Sequence, residues 1–293
     1  VGTKMTYQSV FRSDLFAGHT VIVTGSGSGI GRCIAHEIAT LGAHVVLIGR
    51  TRERLEETAA ELAEDGGQSS IYPQDIRDED GVTETVARIV AERGRIHALV
   101  NNAGGQFSAP LTEISQNGFD TVVRNNLTGG FLMSREVYKQ SMESFGGNIV
   151  NITADSRNGM PGMGHSGAAR AGMENFTMTA AIEWAHSGVR VNAVAPGWII
   201  SSGFDKYDEE TTKMFTVMHD WVPLKRLGTE SEVSAMVCFL LSEGASFITG
   251  ETIRIDGGRP LSSVLWEVPD HDRSQPYEGF HRSVLPEILK EKD

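Results

Sequence analysis

A glycine-rich stretch near the N-terminus constrains the fold more than any other part of the chain. Residues 24–31 read T-G-S-G-S-G-I-G and join an apolar run at 20–23 to a helical pattern at 30–41. Without a Cβ, a glycine backbone can turn tightly and approach a phosphate, which the free N–H groups at the start of a helix can bind. The stretch therefore predicts a strand, a phosphate-binding turn and a helix.

The rest of the chain repeats this alternation. A β-branched run at 44–48 and a charged helical pattern at 52–64 complete a strand-helix-strand unit typical of mononucleotide binding. Five further strand-like runs lie at 70–72, 98–100, 148–153, 189–194 and 252–255, and further helical patterns lie at 81–92, 115–144, 165–186 and 230–241. The pattern predicts an α/β fold: a single-domain, Rossmann-like, doubly wound parallel sheet of about seven strands with helices on both faces.

Composition excludes several classes of protein. The 293 residues suit one large α/β domain, although length alone also allows two smaller ones. A net charge of -12 argues against nucleic-acid binding. No apolar run is long enough to span a membrane and no signal pattern is seen, so we expect a cytoplasmic protein without membrane contact. Cys33 and Cys238 lie in apolar helical patterns and are expected to be buried free thiols, and no metal site is predicted.

Two motifs together resemble the short-chain dehydrogenase/reductase family. The first is T-G-x-x-x-G-x-G at 24–31, which differs from the general G-x-G-x-x-G fingerprint, and the second is N-N-A-G at 101–104. The resemblance implies a bound nicotinamide dinucleotide, with Asp75 and Ile76 at the adenine ring and Ile199 and Ser201 at the nicotinamide carboxamide. The cofactor-binding residues predicted in this way are Gly25, Ser28, Gly29, Ile30, Gly31, Asp75, Ile76, Asn102, Ala103, Gly104, Arg170, Pro196, Gly197 and Ile199.

Residues after the second strand bear on which dinucleotide is bound. A carboxylate there would hydrogen-bond the ribose hydroxyls of NAD, whereas a cation accommodates the 2′-phosphate of NADP. The chain reads Gly-Arg-Thr-Arg at 49–52, with no acid before Glu53. We therefore predict NADP(H), bound through Arg50. The alternative is that Arg50 and Arg52 are solvated cations on the first turn of a helix, although that end of the helix dipole disfavours cations.

The catalytic motif of the family is altered. Other members carry a serine three residues after the asparagine of the fifth strand, and then Tyr-x-x-x-Lys; here those three places hold Ala154, Ser166 and Arg170. A phenol titrates at about pH 10, and an aliphatic alcohol is a much weaker acid. Ser166 therefore cannot simply replace the tyrosine as a proton donor or acceptor. Arg170 can still donate to ribose hydroxyls. Asn126 matches the family asparagine that interrupts a helix and anchors a water molecule.

The altered motif favours reduction of a double bond over reduction of a carbonyl. Hydride addition to the β-carbon of an unsaturated thioester generates an enolate, whose oxygen needs hydrogen-bond donors and whose carbon takes the proton. Residues 101–107, 165–172, 247–250 and 267–272 resemble peroxisomal trans-2-enoyl-CoA reductases and their relatives, the 2,4-dienoyl-CoA reductases. This resemblance implies NADPH-dependent reduction of an unsaturated acyl-CoA, with Arg170 positioning the ribose, Asn126 a water and Ser166 the thioester carbonyl.

Two other functions stay open. One is an alcohol or aldehyde dehydrogenase acting on an apolar substrate such as a terpenoid alcohol, and the other is a catalytically inactive NADP-binding protein. Weaker site candidates are His165 as a proton donor, Asp155, Arg157 and Tyr207. Arg157, Arg259 and Arg273 are candidates for the CoA phosphates, with ordinary surface arginines as the alternative.

The expected organisation is a catalytic domain at 5–258 followed by a tail at 259–293. By resemblance, the polar segment at about 201–221 is a substrate lid, and the chain forms a homotetramer or homodimer through its two long helices. The tail is too polar for a core of its own. We expect either an arm that packs over a neighbouring subunit or the active site, or a disordered tail.

Overall fold

A seven-stranded parallel sheet forms the centre of the molecule. The structure is a computed structural model that describes residues 6–202, 214, 216–262, 265–266 and 268–290. The strands are β1 Thr20–Thr24, β2 His44–Gly49, β3 Gln68–Pro73, β4 Ala98–Asn101, β5 Gly147–Ile152, β6 Val189–Pro196, the short pair β7 Ile199–Ile200 and β8 Gly228–Thr229, and β9 Thr252–Ile255. The order in the main sheet is β3-β2-β1-β4-β5-β6-β9. This order reverses direction next to β1, and the doubly wound α/β prediction is confirmed.

Helices cover both faces of the sheet. They are α1 Gly29–Thr40, α2 Arg52–Glu64, α3 Glu79–Arg93, α4 Gln116–Val123, α5 Gly129–Val137, α6 Glu143–Phe145, α7 Gly164–Glu183 and α8 Glu230–Leu241. Val21 and Val23 pack into a core with α1, α2 and α8, whereas Ile22 between them packs into a core with α3, α5 and α7. Successive side chains of a strand point to opposite faces, which explains why the central strands are apolar without interruption.

The predicted helix at 115–144 is interrupted twice. Between α4 and α5 the backbone forms a π-helical turn, Arg124–Thr128, and a second π-helical turn, Tyr138–Met142, precedes α6. In the first turn the Asn126 amide donates to the carbonyl of Val122, at 2.9 Å. Such π turns are uncommon and occur frequently at functional sites. The helix break that the family resemblance implied at Asn126 is therefore present.

The described part of the tail packs against helices of the same chain. Phe280 is 2% exposed and packs in one cluster with Tyr7, near the N-terminus, and Cys33 of α1. Arg282 pairs with Asp65 at the end of α2, at 2.9 Å. Cys33 and Cys238 are free and buried, as predicted, and burial raises the pKa of both thiols. The tail is thus a fixed part of the α1 and α2 surface.

Within the described ranges, no helix is both long enough and apolar enough to cross a bilayer.

The buried tail residue gives a stability prediction. We expect Phe280→Ala to lower the melting temperature by about 9 °C, because truncating a buried phenylalanine costs about 3 kcal/mol and each kcal/mol corresponds to roughly 3 °C in a large domain. Val284→Ala is the matched control, since Val284 lies in the same tail and is 52% exposed. Differential scanning fluorimetry on the two variants measures the difference. Equal melting temperatures would contradict the packing described here.

Candidate active site

A cleft of about 630 Å³ lies at the carboxyl ends of the strands. It brings together most of the residues predicted to bind a cofactor: Gly25, Ser28, Ile30, Gly31, Arg50, Asp75, Ile76, Asn102, Ala103, Gly104, Arg170, Pro196 and Gly197. Four predicted site residues, Gly29, Asn126, Ser166 and Ile199, do not line the cleft surface itself. Ile199 is 6% exposed and packs into the core on the α1 side.

The glycine turn can only be built from glycine at two of its positions. Gly25 has φ +66, and a Cβ there would lie 2.8 Å from the Cα of Ala103. A Cβ on Gly31 would lie 2.4 Å from the carbonyl oxygen of Gly25. The turn leaves the N-terminus of α1 facing the cleft through Ser28 and Ile30. This cradle fits the pyrophosphate of a dinucleotide, because helix N-termini offer unpaired N–H groups and a positive dipole end.

Hydrogen bonds between β1 and β4 fix this turn. The amide of Asn102 donates to the carbonyl of Thr24, at 3.0 Å. The hydroxyl of Thr24 accepts from the backbone N–H groups of Asn102 and Ala103, both at 3.0 Å. The N-N-A-G motif therefore holds the end of β1 as well as lining the cleft.

The far end of the cleft carries two arginines, of which the sequence reasoning identified one. Arg50 and Arg54 both line it, and neither forms a salt bridge within the described ranges. Arg54 lies over the glycine turn, because a Cβ on Gly27 would be 2.9 Å from the Cβ of Arg54. The available signal was that Arg54 lies in the first turn of α2, which begins at Arg52, soon after Arg50. Arg52 does not line the cleft and instead pairs with Glu56 along the helix, at 3.5 Å.

The predicted adenine residue Asp75 is held by a neighbouring cation. Arg77 donates to both of its carboxylate oxygens, at 2.9 and 2.6 Å. The hydrogen bonds from Arg77 hold the pKa of Asp75 below its usual range. Asp75 is therefore a charged, oriented acceptor at the edge of the cleft, next to Ile76.

Arg170 lies at the opposite end of the cleft with part of its guanidinium unengaged. It is 8% exposed, and its NH1 donates to the carbonyl of Ile152, at 2.7 Å. Its buried Nε has no hydrogen-bond partner among the described residues. Burial lowers the pKa of Arg170 to about 10, so the group is cationic at neutral pH. These donors fit ribose hydroxyls, the role that the family resemblance implied.

Asn126 supports the site from below. Its amide Nδ2 donates to the carbonyl of Gly105, at 2.7 Å, and its Oδ1 accepts from the N–H of Gly105, at 3.1 Å. A Cβ on Gly104 would lie 2.5 Å from Asn126 Oδ1 and 2.9 Å from Arg170 NH2. Asn126 and Arg170 thus enclose the backbone of Gly104, and the side chain of Asn126 serves to position this loop.

Ser166 lies on α7 one turn before Arg170. It is 1% exposed, and its Oγ has no hydrogen-bond partner among the described residues. The hydroxyl of Thr153 donates to the carbonyl of Val194, at 3.2 Å, and Ala154 has no hydroxyl. Ser166 is therefore the remaining unengaged alcohol on the helix that carries Arg170.

His165 is poorly placed to donate a proton. It is fully buried, its Nδ1 accepts from the N–H of Ser166 at 2.8 Å, and its ring stands edge-on against Phe107 at 4.4 Å. Phe107 lines the cleft, whereas His165 does not. Phe107 thus packs between the histidine and the cleft.

The weaker candidates have other roles or positions. Asp155 pairs with Arg259 at 3.4 Å, and Arg259 lies over the ring of Trp198 at 4.3 Å. Arg157 and Arg273 are exposed, and Tyr207 lies outside the described residues. In the described part of the chain, no group of three His, Cys, Asp or Glu side chains could hold a metal ion.

The sheet order, the glycine cradle and the cleft define a dinucleotide-binding enzyme of the Rossmann type. A family model described as "Enoyl-(Acyl carrier protein) reductase" matches residues 25–259. The chain belongs to the short-chain dehydrogenase/reductase family, as the two glycine motifs indicated, and is an oxidoreductase of that family.

Relatives carry different substrate names. A "Probable 2,4-dienoyl-CoA reductase [(2E)-enoyl-CoA-producing]" of Bacillus subtilis is 39% identical over 83% of this chain and 96% of its own length. A solved "citronellol catabolism dehydrogenase (AtuB)" of Pseudomonas aeruginosa PAO1 is 60% identical with a TM-score of 0.78, over 86% of this chain and 99% of its own. A solved "putative NAD(P) dependent gluconate 5-dehydrogenase" of Beutenbergia cavernae, with NADP at low occupancy, is 33% identical with a TM-score of 0.78, over 86% and 100%.

The enclosed backbone of Gly104 gives a binding prediction. We expect Gly104→Ala to weaken NADPH binding about tenfold, because the new methyl group displaces Asn126 or Arg170 and each lost buried hydrogen bond costs about 1–3 kcal/mol. Gly105→Ala is the control, since a Cβ there would contact only the amide of Asn125, at 3.2 Å. Fluorescence titration gives both dissociation constants. The same affinity in both variants would show that this contact does not shape the site.

Proposed function

We propose that the protein is an NADPH-dependent reductase of α,β-unsaturated acyl-CoA thioesters, a trans-2-enoyl-CoA or 2,4-dienoyl-CoA. The observation that carries the proposal is that the described cleft holds no phenol, and that the place of the family's phenol is taken by Ser166, a buried alcohol that has no hydrogen-bond partner among the described residues and does not itself line the cleft.

Four of the five tyrosines of the chain are placed away from the cleft. Tyr7 is buried against α1, where its hydroxyl donates to Glu37 at 3.0 Å. Tyr72 is hydrogen-bonded to Glu92, Tyr138 stacks on Trp184, and Tyr277 donates to the carbonyl of Gln8. The fifth, Tyr207, lies outside the described residues. The described cleft therefore offers no phenol for proton exchange with a carbonyl or alcohol oxygen.

The remaining cleft residues also lack a group that titrates near neutrality. Asp75 is the one carboxylate among the described lining residues, and it is ionised and paired with Arg77. Arg170 stays charged at neutral pH. Reduction of a carbonyl needs a proton delivered to oxygen, and oxidation of an alcohol needs one removed from it. This site is better suited to a reaction in which the oxygen receives only hydrogen bonds.

Conjugate reduction of an unsaturated thioester meets that requirement. A bound nicotinamide dinucleotide would supply a hydride, which would form a C–H bond at the β-carbon of a 2-enoyl thioester, or at the δ-carbon of a 2,4-dienoyl thioester, while the electrons of the conjugated double bonds move onto the thioester oxygen. The hydroxyl of Ser166 can donate to that oxygen, and the fixed charge of Arg170 stabilises the negative charge nearby. A proton from water then completes the α-carbon. Asn126 holds the Gly104–Gly105 backbone against which the reactants lie.

The relatives named as 2,4-dienoyl-CoA reductases, from Bacillus subtilis and from peroxisomes of Danio rerio, support this substrate class. A second candidate rests on the 60% identical relative named for citronellol catabolism: a dehydrogenase of an apolar terpenoid alcohol or aldehyde. That candidate needs a proton-transfer group, for which Tyr207 is the remaining tyrosine.

A substrate panel separates the candidates. We expect oxidation of NADPH, followed at 340 nm, with trans-2-decenoyl-CoA or 2,4-decadienoyl-CoA, and no comparable reaction with citronellol or citronellal. Ser166→Ala should lower kcat about tenfold or more, because one donor to the developing oxyanion is worth about 2 kcal/mol. Tyr207→Phe is the matched control and should leave enoyl-CoA reduction unchanged.

Two other results of the panel would contradict the proposal. Turnover of citronellol or citronellal alone, abolished by Tyr207→Phe, would replace the proposal with the terpenoid dehydrogenase. NADPH binding without turnover of any member of the panel would indicate an inactive binding protein.

We also propose that NADP(H), and not NAD(H), is the working cofactor. Arg50 and Arg54 both line the cleft, and Arg50 directly follows the second strand, where a cation accommodates a 2′-phosphate. Charge-assisted bonds to phosphate are worth about 1.5–3 kcal/mol each.

The two arginines give a selectivity prediction. Arg50→Asp and Arg54→Ala should each raise the dissociation constant for NADPH about tenfold while changing that for NADH less than twofold. Arg52→Ala is the control, because Arg52 pairs with Glu56 outside the cleft. Parallel titrations with the two nucleotides give the ratio. An unchanged ratio in both cleft variants would refute the assignment.

A further inference from the structure

An acidic side chain lies beside Gly29 of the glycine turn, although neither residue lines the cleft itself. Glu230 is the first residue of α8, and it is 7% exposed. A Cβ placed on Gly29 would lie 3.7 Å from Oε1 of Glu230 and 4.0 Å from the Cβ of Ser201. Ser201 lines the cleft, and Gly29 begins α1. One buried carboxyl group therefore sits beside the N-terminus that attracts phosphate.

Among the described residues this carboxyl group has no salt bridge and no side-chain hydrogen bond, and Arg32 acts on it through its charge alone. The charged and titratable groups nearest to it on α1 are Arg32 and Cys33. Arg32 is already bound to Glu61 through two hydrogen bonds, at 2.8 and 2.7 Å.

The other acid at the start of α8 behaves differently. Glu232 pairs with Arg226 at 2.6 Å and caps the helix at Thr229, at 2.9 Å. Its pKa is accordingly lowered. Burial raises the pKa of Glu230 to about 7, with Arg32 opposing that shift. Two acids two residues apart are thus driven in opposite directions by their surroundings.

We propose that Glu230 is a cofactor-binding residue that holds a proton when a dinucleotide is bound and donates its carboxyl O–H to the pyrophosphate. An ionised carboxylate at this position would repel a dianionic pyrophosphate, whereas the protonated form supplies a hydrogen bond. The proton comes from solvent and returns to it on release. This inference rests on the dinucleotide of the proposed function and is independent of its substrate.

The sign of the pH dependence follows from this linkage. Below about pH 7 the free protein already carries the proton, so binding is not penalised. Above that pH each binding event must take up a proton, and the affinity falls as pH rises. We expect the dissociation constant for NADPH to increase about fiftyfold between pH 7 and pH 9, because the complex keeps its proton and the free carboxyl group does not. The 2′-phosphate of NADPH does not contribute to this pH dependence, because a phosphate monoester takes its second negative charge at about pH 6.

The test compares two charge-neutralising variants. Glu230→Gln should bind NADPH with a dissociation constant that is constant from pH 7 to pH 9 and about a hundredfold lower than wild type at pH 9. Glu183→Gln, which removes an exposed acid from α7, is the matched control and should follow the wild-type curve. Fluorescence titration gives the constants, and circular dichroism confirms that both variants are folded.

Calorimetry on the wild-type protein gives a second measurement that needs no variant. Titration of NADPH in buffers of different ionisation enthalpy should reveal uptake of close to one proton per site at pH 8.5. A flat wild-type curve with no proton uptake would overturn the inference, and so would pH dependence that persists in Glu230→Gln. If NADPH does not bind at any pH, the cofactor proposal fails together with this inference. A negative substrate panel leaves it standing.

Discussion

The hydrogen bonds between the ends of β1 and β4 are the constraint on which the rest of the site depends. Thr24 and Asn102 join the two strands where the backbone turns into α1, and Gly25 passes so close to Ala103 that no side chain fits. Because this turn is fixed, the N-terminus of α1 faces the cleft. Each other element of the site, from Arg54 to Arg170, is placed relative to it.

Two kinds of support hold the reacting end in shape. Asn126 binds both backbone groups of Gly105 from a π-helical turn, and Arg170 is anchored to the carbonyl of Ile152. The bond to Ile152 uses only part of the guanidinium of Arg170, and its Nε has no hydrogen-bond partner among the described residues. The site therefore combines a backbone held by hydrogen bonds with a few polar atoms that have no partner among the described residues.

Most of the fold could be predicted from the sequence because strand and helix periodicities are local properties. The seven strands and the long helices were identified in this way, with the exception of the interrupted helix at 115–144. That interruption depends on Asn126 bonding to Gly105, a residue 21 positions away, and the residues alone gave only a family resemblance for it. The docking of Phe280 likewise depends on Tyr7 and Cys33, which no local pattern connects to the tail.

What the sequence determined by itself is the chemistry available at each position: glycine where a Cβ cannot fit, arginine after the second strand, and serine in place of a phenol. Only the tertiary structure decided which of these groups are engaged. It placed Arg54 in the cleft and Arg52 outside it, occupied the hydroxyl of Thr153, and left Ser166 without a hydrogen-bond partner among the described residues. The physical reason is that hydrogen bonds and burial join residues distant in sequence, so the state of a side chain is a property of its neighbours in space.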